Sequence, residues 1–90
     1  RIYQLKNYSN SLYLRVEVKD KPGVLSKITR ILAERNISIE RLIQIPDHKL
    51  KTASIVLITH KSKELDAQKC LSLFKSNKNI LRSPVLIRLL

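Results

Sequence analysis

The residues that could do chemistry are few, and the densest group is Asp20, Pro22 and Gly23. Gly23 is the only glycine in the chain, set directly after a proline and directly before a change of hydrophobic rhythm. Proline fixes its own backbone and has no N–H to leave unpaired at a helix start. Glycine reaches torsions closed to other residues, and an aspartate at this distance can cap a helix or accept a turn hydrogen bond. On spacing alone two readings stand: a bend with Asp20 as its cap, or a bend that seats a ligand.

Other side chains offer less. Cys70 is the only cysteine, so no internal disulfide is possible; its neighbours Leu71 and Phe74 mark it as a small buried hydrophobe, which fits a reducing cytoplasm. His48, His60 and Cys70 lack the close pairings of metal sites, so no metal is expected. His60 ends an apolar run beside Ser62, where a hydrogen bond at the helix start is its expected role. One glycine cannot make a dinucleotide loop. The acids are dispersed and no serine or cysteine sits in a nucleophile setting, so these residues are expected to be non-catalytic.

The net charge of +11 raises the question of nucleic acid. Each half of the chain holds nine Lys/Arg, against four acids in the first and three in the second. The basic residues are therefore spread out and not gathered into a stripe. Base stacking needs exposed aromatics, and of Tyr3, Tyr8, Tyr13 and Phe74 only Tyr13 falls on an expected strand. A basic, soluble surface with no nucleic-acid partner is expected. No apolar run approaches the ~20 residues that span a bilayer, so no membrane partner is expected.

The elements that must position Asp20 and Gly23 follow from periodicity. Leu12, Leu14, Val16 and Val18 alternate with Tyr13, Arg15 and Glu17, which predicts a strand. Val24, Leu25, Ile28, Ile31 and Leu32 repeat at helical spacing, and Asn36 tolerates the left-handed torsion that ends helices. "ISIERLIQI" (37–45) reads as a second strand with imperfect alternation, "PDHK" (46–49) as a turn and "LKTASIVLITH" (50–60) as a third strand with a doubly apolar centre. A second helix is expected from Ser62, with Ala67, Cys70, Leu71 and Phe74 inward, and "ILRSPVLIRLL" (80–90) as an irregular fourth strand. Residues 1–11 show no period and read as a lead-in from an upstream domain, leaving one domain over 12–90. Strand–helix–strand–strand–helix–strand gives an α+β, ferredoxin-like βαββαβ fold. Its four-stranded antiparallel sheet has order 4-1-3-2, with both helices on one face. Pro46 and Pro84 fall on the second and fourth strands, the edges of that order, where a missing ladder donor is tolerated. The absence of Met and the start at Arg1 read as a piece of a longer chain.

"YLRVEVKDKPGVLSKITRILAERNISIERLIQ" and "IVLITHKSKE" resemble the ACT domain, a small-molecule-sensing module of amino-acid metabolic enzymes. More narrowly, they resemble the C-terminal ACT domain of homoserine dehydrogenases. The resemblance implies amino-acid binding, with threonine as first candidate, between the Gly23 loop of one domain and the second strand of a partner. The implied effector residues are Asp20, Pro22, Gly23, Val24 and Leu25 on one chain, with Ser38 and Ile39 on the other. In that reading free first-turn N–H groups seat the effector carboxylate, and Asp20 holds its ammonium or hydroxyl. It also implies a homodimer or higher assembly, no cofactor in this segment, and NAD(P) in a parent that interconverts homoserine and aspartate semialdehyde. A pairing module that senses nothing is the alternative.

Overall fold

The alternation that opens the chain becomes strand β1, Ser9–Lys19, with Leu12, Leu14, Val16 and Val18 buried on one side. The computed structural model describes residues 9–89. After β1 come α1 (Val24–Glu34), β2 (Ile39–Asp47), β3 (Thr52–Thr59), the two-residue β4 (Ser62–Lys63), α2 (Glu64–Lys75) and β5 (Val85–Leu89). β1 pairs antiparallel with both β3 and β5, and β3 pairs antiparallel with β2. The main sheet therefore runs β5–β1–β3–β2, the expected order. β4 adds a short rung at Ser9 and Asn10 of β1. Leu14, Val16, Val18, Ala53, Ile55 and Leu57 form one core with Ile28 and Leu32 of α1 and Cys70 and Phe74 of α2. Both helices thus cover the same face.

α1 ends as Asn36 suggests. Asn36 has φ 59°, its N–H donates to Ala33 O at 3.0 Å and the Ile37 N–H to Leu32 O at 2.9 Å. This is the Schellman pattern, closed by the buried pair Ile37 and Leu32. Ile37 and Ser38 therefore belong to the helix exit, and β2 starts at Ile39 instead of 37. The register slips between Ile39 and Arg41. That bulge explains the broken alternation, because one extra residue on β2 flips the faces.

Several boundaries move for physical reasons. Ser9–Ser11, expected as lead-in, are strand: their backbone pairs with Lys63, Ser62 and Leu89, so the ladder holds them without an apolar pattern. Residues 1–8 of the expected lead-in, with Tyr3 and Tyr8, lie outside the described residues. Pro46 and Asp47 are strand and not turn, paired with Ala53 and Thr52; β2 is an edge, so Pro46 costs no ladder bond. The turn is residues 48–51, held by Asp47 Oδ1, which accepts from the N–H groups of Lys49 and Leu50 at 3.1 and 3.2 Å. β3 is accordingly two residues shorter at its start and one at its end than expected. α2 begins at Glu64, because Ser62 and Lys63 are spent on β4. The fourth strand is divided: Ile80 bridges Val18 alone, and β5 begins at Val85, immediately after Pro84.

The face away from the helices is laid out by the same registers. Arg41, Ile58, Tyr13 and Ile87 form one row across it. Ile43, Val56, Arg15 and Val85 form the next, and Ile45, Ser54 and Glu17 a third.

Candidate functional site

The turn from β1 to α1 is built from backbone bonds. Lys19 N–H donates to Asn79 O at 3.0 Å, Asp20 N–H to Lys51 O at 2.9 Å and Lys21 N–H to Lys19 O at 3.0 Å. Gly23 is the N-cap residue, with φ 88° and ψ −13°, and no side chain caps the helix. The expected cap from Asp20 is therefore not made; Asp20 is exposed and contributes its amide to the β2–β3 turn instead. An ideal Cβ on Gly23 would meet nothing within 4 Å. Torsion, and not crowding, calls for glycine here.

That geometry leaves the start of α1 electrically bare. Val24 N–H reaches Lys21 O at 3.3 Å and Lys27 N–H reaches Gly23 O at 3.0 Å. Among the described residues, the N–H groups of Leu25 and Ser26 have no acceptor. The first turn carries no acid, so nothing offsets the positive end of the helix dipole. Val24 is buried and can present only backbone. An open depression of about 650 Å³ lies between this turn and the end of α2, bordered by Pro22, Gly23, Lys27, Asn77 and Lys78. Glu34 also borders the depression, while Leu25 and Ser26 do not; the bare helix start, with Lys27 one turn on, suits an anion such as a carboxylate.

Ser38 and Ile39 lie elsewhere. His60 N–H donates to Ser38 O at 2.9 Å, Ile39 pairs with Thr59, and Ser38 is exposed. They border a second depression of about 540 Å³, shared with Thr29, Ala33 and Asn36 on the opposite flank of α1. Lys19 aligns with Thr52 and Thr52 with Asp47, so the Gly23 turn sits at the Asp47 end of β2. Ser38 sits at its other end. Eight strand steps of about 3.3 Å separate the two ends by roughly 26 Å. One chain therefore places Pro22, Gly23 and Val24 on the depression, with Asp20 and Leu25 adjoining in the same turn but not lining it, and holds Ser38 and Ile39 well apart from them.

Remaining polar groups are structural. Glu64, 4% exposed at the first position of α2, accepts both a bond from Arg88 Nε and a second from Arg88 Nη2, plus one from Gln68 Nε2 at 3.2 Å. The Arg88 guanidinium holds its carboxyl below the usual glutamate range against the opposing pull of burial. Glu17 accepts from Ser54 Oγ at 2.6 Å and from Arg15 Nε at 2.9 Å, and the serine bond leads in lowering its pKa. Burial pushes the Cys70 thiol up to about 11. His60 makes no helix-start hydrogen bond with its ring; Nδ1 lies 3.9 Å from Glu40 Oε1, and only its backbone carbonyl accepts, from Thr59 Oγ1. Among the described residues no three His, Cys, Asp or Glu cluster as a metal site.

The model of the ACT domain family matches residues 12–76, from β1 through α2. The chain belongs to the ACT domain family. Curated relatives of this ACT domain are homoserine dehydrogenases. That of Neisseria gonorrhoeae is 44% identical over 63 residues, covering 70% of this chain and 14% of the relative. That of Helicobacter pylori is 32% identical over 77 residues, covering 86% of this chain and 18% of the relative. The chain thus spans less than a fifth of the relatives' length. Among solved structures, a homoserine dehydrogenase from Thiobacillus denitrificans superposes with TM-score 0.80 at 28% identity, over 93% of this chain and 18% of that one. The ACT domain from GTP pyrophosphokinase of Chlorobium tepidum shares the fold, with TM-score 0.67 at 13% identity over 91% of this chain and all of that one.

Lys27 and the Asn77–Asn79 segment border the ACT domain's turn without having been singled out by sequence. Lys27 could have been found, lying one helical turn beyond Gly23. Asn77–Asn79 arrive from a segment more than fifty residues away and carry no local signal.

Proposed function

We infer that this ACT domain binds a free amino acid, threonine first among candidates, at a site completed by two copies paired antiparallel along β2. The carrying observation is the separation of the two half-sites: one bare helix start at the Asp47 end of β2, one exposed Ser38 beside the half-buried Ile39 at the other. No amino acid spans roughly 26 Å of strand. A two-fold axis through antiparallel β2 strands brings each Ser38 end beside the opposing Gly23 turn, so two sites form per pair. β2 is an edge with free backbone groups, the ordinary substrate for such joining. In this reading Leu25 and Ser26 amides take the carboxylate, Asp20 takes the ammonium or hydroxyl, and the partner's Ser38 and Ile39 close the site.

The relatives' names support a parent homoserine dehydrogenase; we propose that this parent is cytoplasmic and interconverts homoserine and aspartate semialdehyde with NAD(P) held outside these residues. Binding would bias that enzyme only by favouring one arrangement of the pair over another, with a typical coupling of about 1–3 kcal/mol. Titration calorimetry with threonine, serine, isoleucine, methionine and lysine tests the reading. Heat from one of them at one molecule per chain is expected; silence from all five removes sensing. One observation favours a second reading, a pairing module that binds nothing small: the hydroxyl of Ser38 is short for reaching across an interface. A pair whose mass and affinity ignore every amino acid would support it.

A further inference from the structure

The threonine that ends β3 is out of keeping with the stripe it completes. Ala53, Ile55, Leu57 and Thr59 are the buried residues of that strand, alternating with half-buried ones, and a valine would have the same shape as Thr59. Thr59 is 0% exposed, so its hydroxyl is taken wholly out of water, which is costly unless it is hydrogen-bonded. It is bonded on both sides. Oγ1 accepts from the Leu12 N–H of β1 at 3.1 Å and donates to the His60 carbonyl at 2.8 Å.

Those two bonds sit at a break in the ladder. β1 and β3 stay in register as far as Tyr13 and Ile58, and pairing resumes at Asn10 of β1 and Ser62 of β4. Ser11 and Leu12 on one side therefore face Thr59, His60 and Lys61 on the other, and the extra residue makes a bulge. Ile39 pairs with Thr59 just where β2 slips its own register against β3. Regular strand pairing thus does not fix this corner of the sheet. Close packing does not lock it either, because Leu12, Ile37 and Thr59 border a small apolar void. The Thr59 hydroxyl ties β1 to His60, and the His60 N–H in turn donates to Ser38 O at 2.9 Å.

We propose that Thr59 is a positioning residue for amino-acid binding: its hydroxyl sets the place of Ser38 by way of His60, and so shapes the half-site that one chain offers to its partner. The proposal rests on the shared site above and adds to it a buried residue that touches no ligand. Without the hydroxyl, Leu12 N–H and His60 O lose these partners. An unpaired polar group is relieved by turning toward water, and His60 takes Ser38 with it. The Gly23 turn, roughly 26 Å away along β2, lies beyond that shift.

Thr59→Val removes the hydroxyl at nearly constant shape, and Thr59→Ser keeps it. Calorimetry reads the site, with threonine as probe or whichever of the five amino acids above the wild type binds. Amide exchange followed by NMR reads the corner itself. Thr59→Val is expected to bind about tenfold more weakly, the scale of a lost hydrogen bond that leaves a buried group unpaired. Its His60 amide should exchange faster while that of Val56, at the centre of β3, stays as in the wild type. Thr59→Ser should stay near wild type in both. Mixing separates a half-site defect from a weakened domain. With Gly23→Asp chains, which are spoiled only at the helix start, Thr59→Val should recover about one quarter of the sites at wild-type affinity; with Ser38→Phe chains, blocked at the same end, it should recover none. Equal affinity in Thr59→Val and wild type, an unmoved His60 amide, or recovery with Ser38→Phe or with neither partner overturns the positioning role and leaves the shared site standing. A wild type that binds none of the five amino acids removes the site itself, and the role of Thr59 falls with it.

Discussion

Replacing Arg88 with Met leaves the buried Glu64 carboxylate without its cation, whereas replacing Glu64 with Gln leaves a guanidinium that can turn to water. The two partners are unequal in burial: the Glu64 side chain is 4% exposed and that of Arg88 43%. Removing one partner of a buried pair costs about 3–5 kcal/mol when the charge left behind stays buried. Arg88→Met should fall near the low end, about 3 kcal/mol, because the pair is open on one side. Glu64→Gln keeps the shape and forfeits charge assistance, about 1 kcal/mol. For a domain this small, 1 kcal/mol moves the melting temperature by about 4–8 °C, so a difference of about 2 kcal/mol should separate the variants by about 8–16 °C. The pH dependence separates them further. In the wild type the folded-state pKa of Glu64 is depressed, so its stabilisation is full above the unfolded value, about 4.3, and is lost as pH falls below it. Without Arg88, burial outweighs the remaining Gln68 bond, the pKa rises, and stability is lost as pH climbs through the same range. Calorimetric melting from pH 3.5 to 7 reads both effects. Equal losses in the two variants, or an Arg88→Met domain that gains stability with rising pH from this group, would refute the asymmetry.

Gly23→Ala should cost about 1–2 kcal/mol in urea denaturation, the price of a left-handed torsion, because the added Cβ meets open space; a loss above about 4 kcal/mol would mean hidden crowding. Ser54→Ala removes the leading cause of the lowered Glu17 pKa, so the Glu17 carboxyl, followed by NMR, should titrate at higher pH than in the wild type. An unchanged midpoint would transfer that role to Arg15. Cys70, buried and with its thiol near 11, should resist alkylation at neutral pH until the domain unfolds, and rapid labelling of the native protein would contradict its placement.

Much of the fold could be read from periodicity, because β1 and α1 each bury one clean stripe. The reading failed where backbone, and not side chains, decided the outcome. Ser9–Ser11 join the sheet through ladder bonds that polar side chains do not advertise. Pro46 stays in β2 because only an edge excuses it, and edges are a property of the assembled sheet. The bulge at Ile39–Arg41 showed as broken alternation, a signal whose cause needed the register with β3. Gly23 was legible as a special position, and its torsion of 88° supplies the reason. Asp20 as helix cap was not: the left-handed N-cap turns the chain so that no side chain reaches the first turn. The Glu64–Arg88 pair was invisible because its members are 24 residues apart and meet only when β5 lies beside β1 under α2.

The separated half-sites are tested most directly by complementation between two disabled chains. Gly23→Asp places a negative charge at the helix start, with a residue type that tolerates left-handed torsions, and Ser38→Phe blocks the other end. Neither variant alone should bind the amino acid that wild type binds. Mixed in equal amounts and allowed to exchange, half of the pairs contain one of each, and each mixed pair holds one intact site of two. Calorimetry should then recover about one quarter of the wild-type sites per chain, as two-fold symmetry requires. No binding in the mixture, or full binding by either variant alone, would contradict a site shared between two chains.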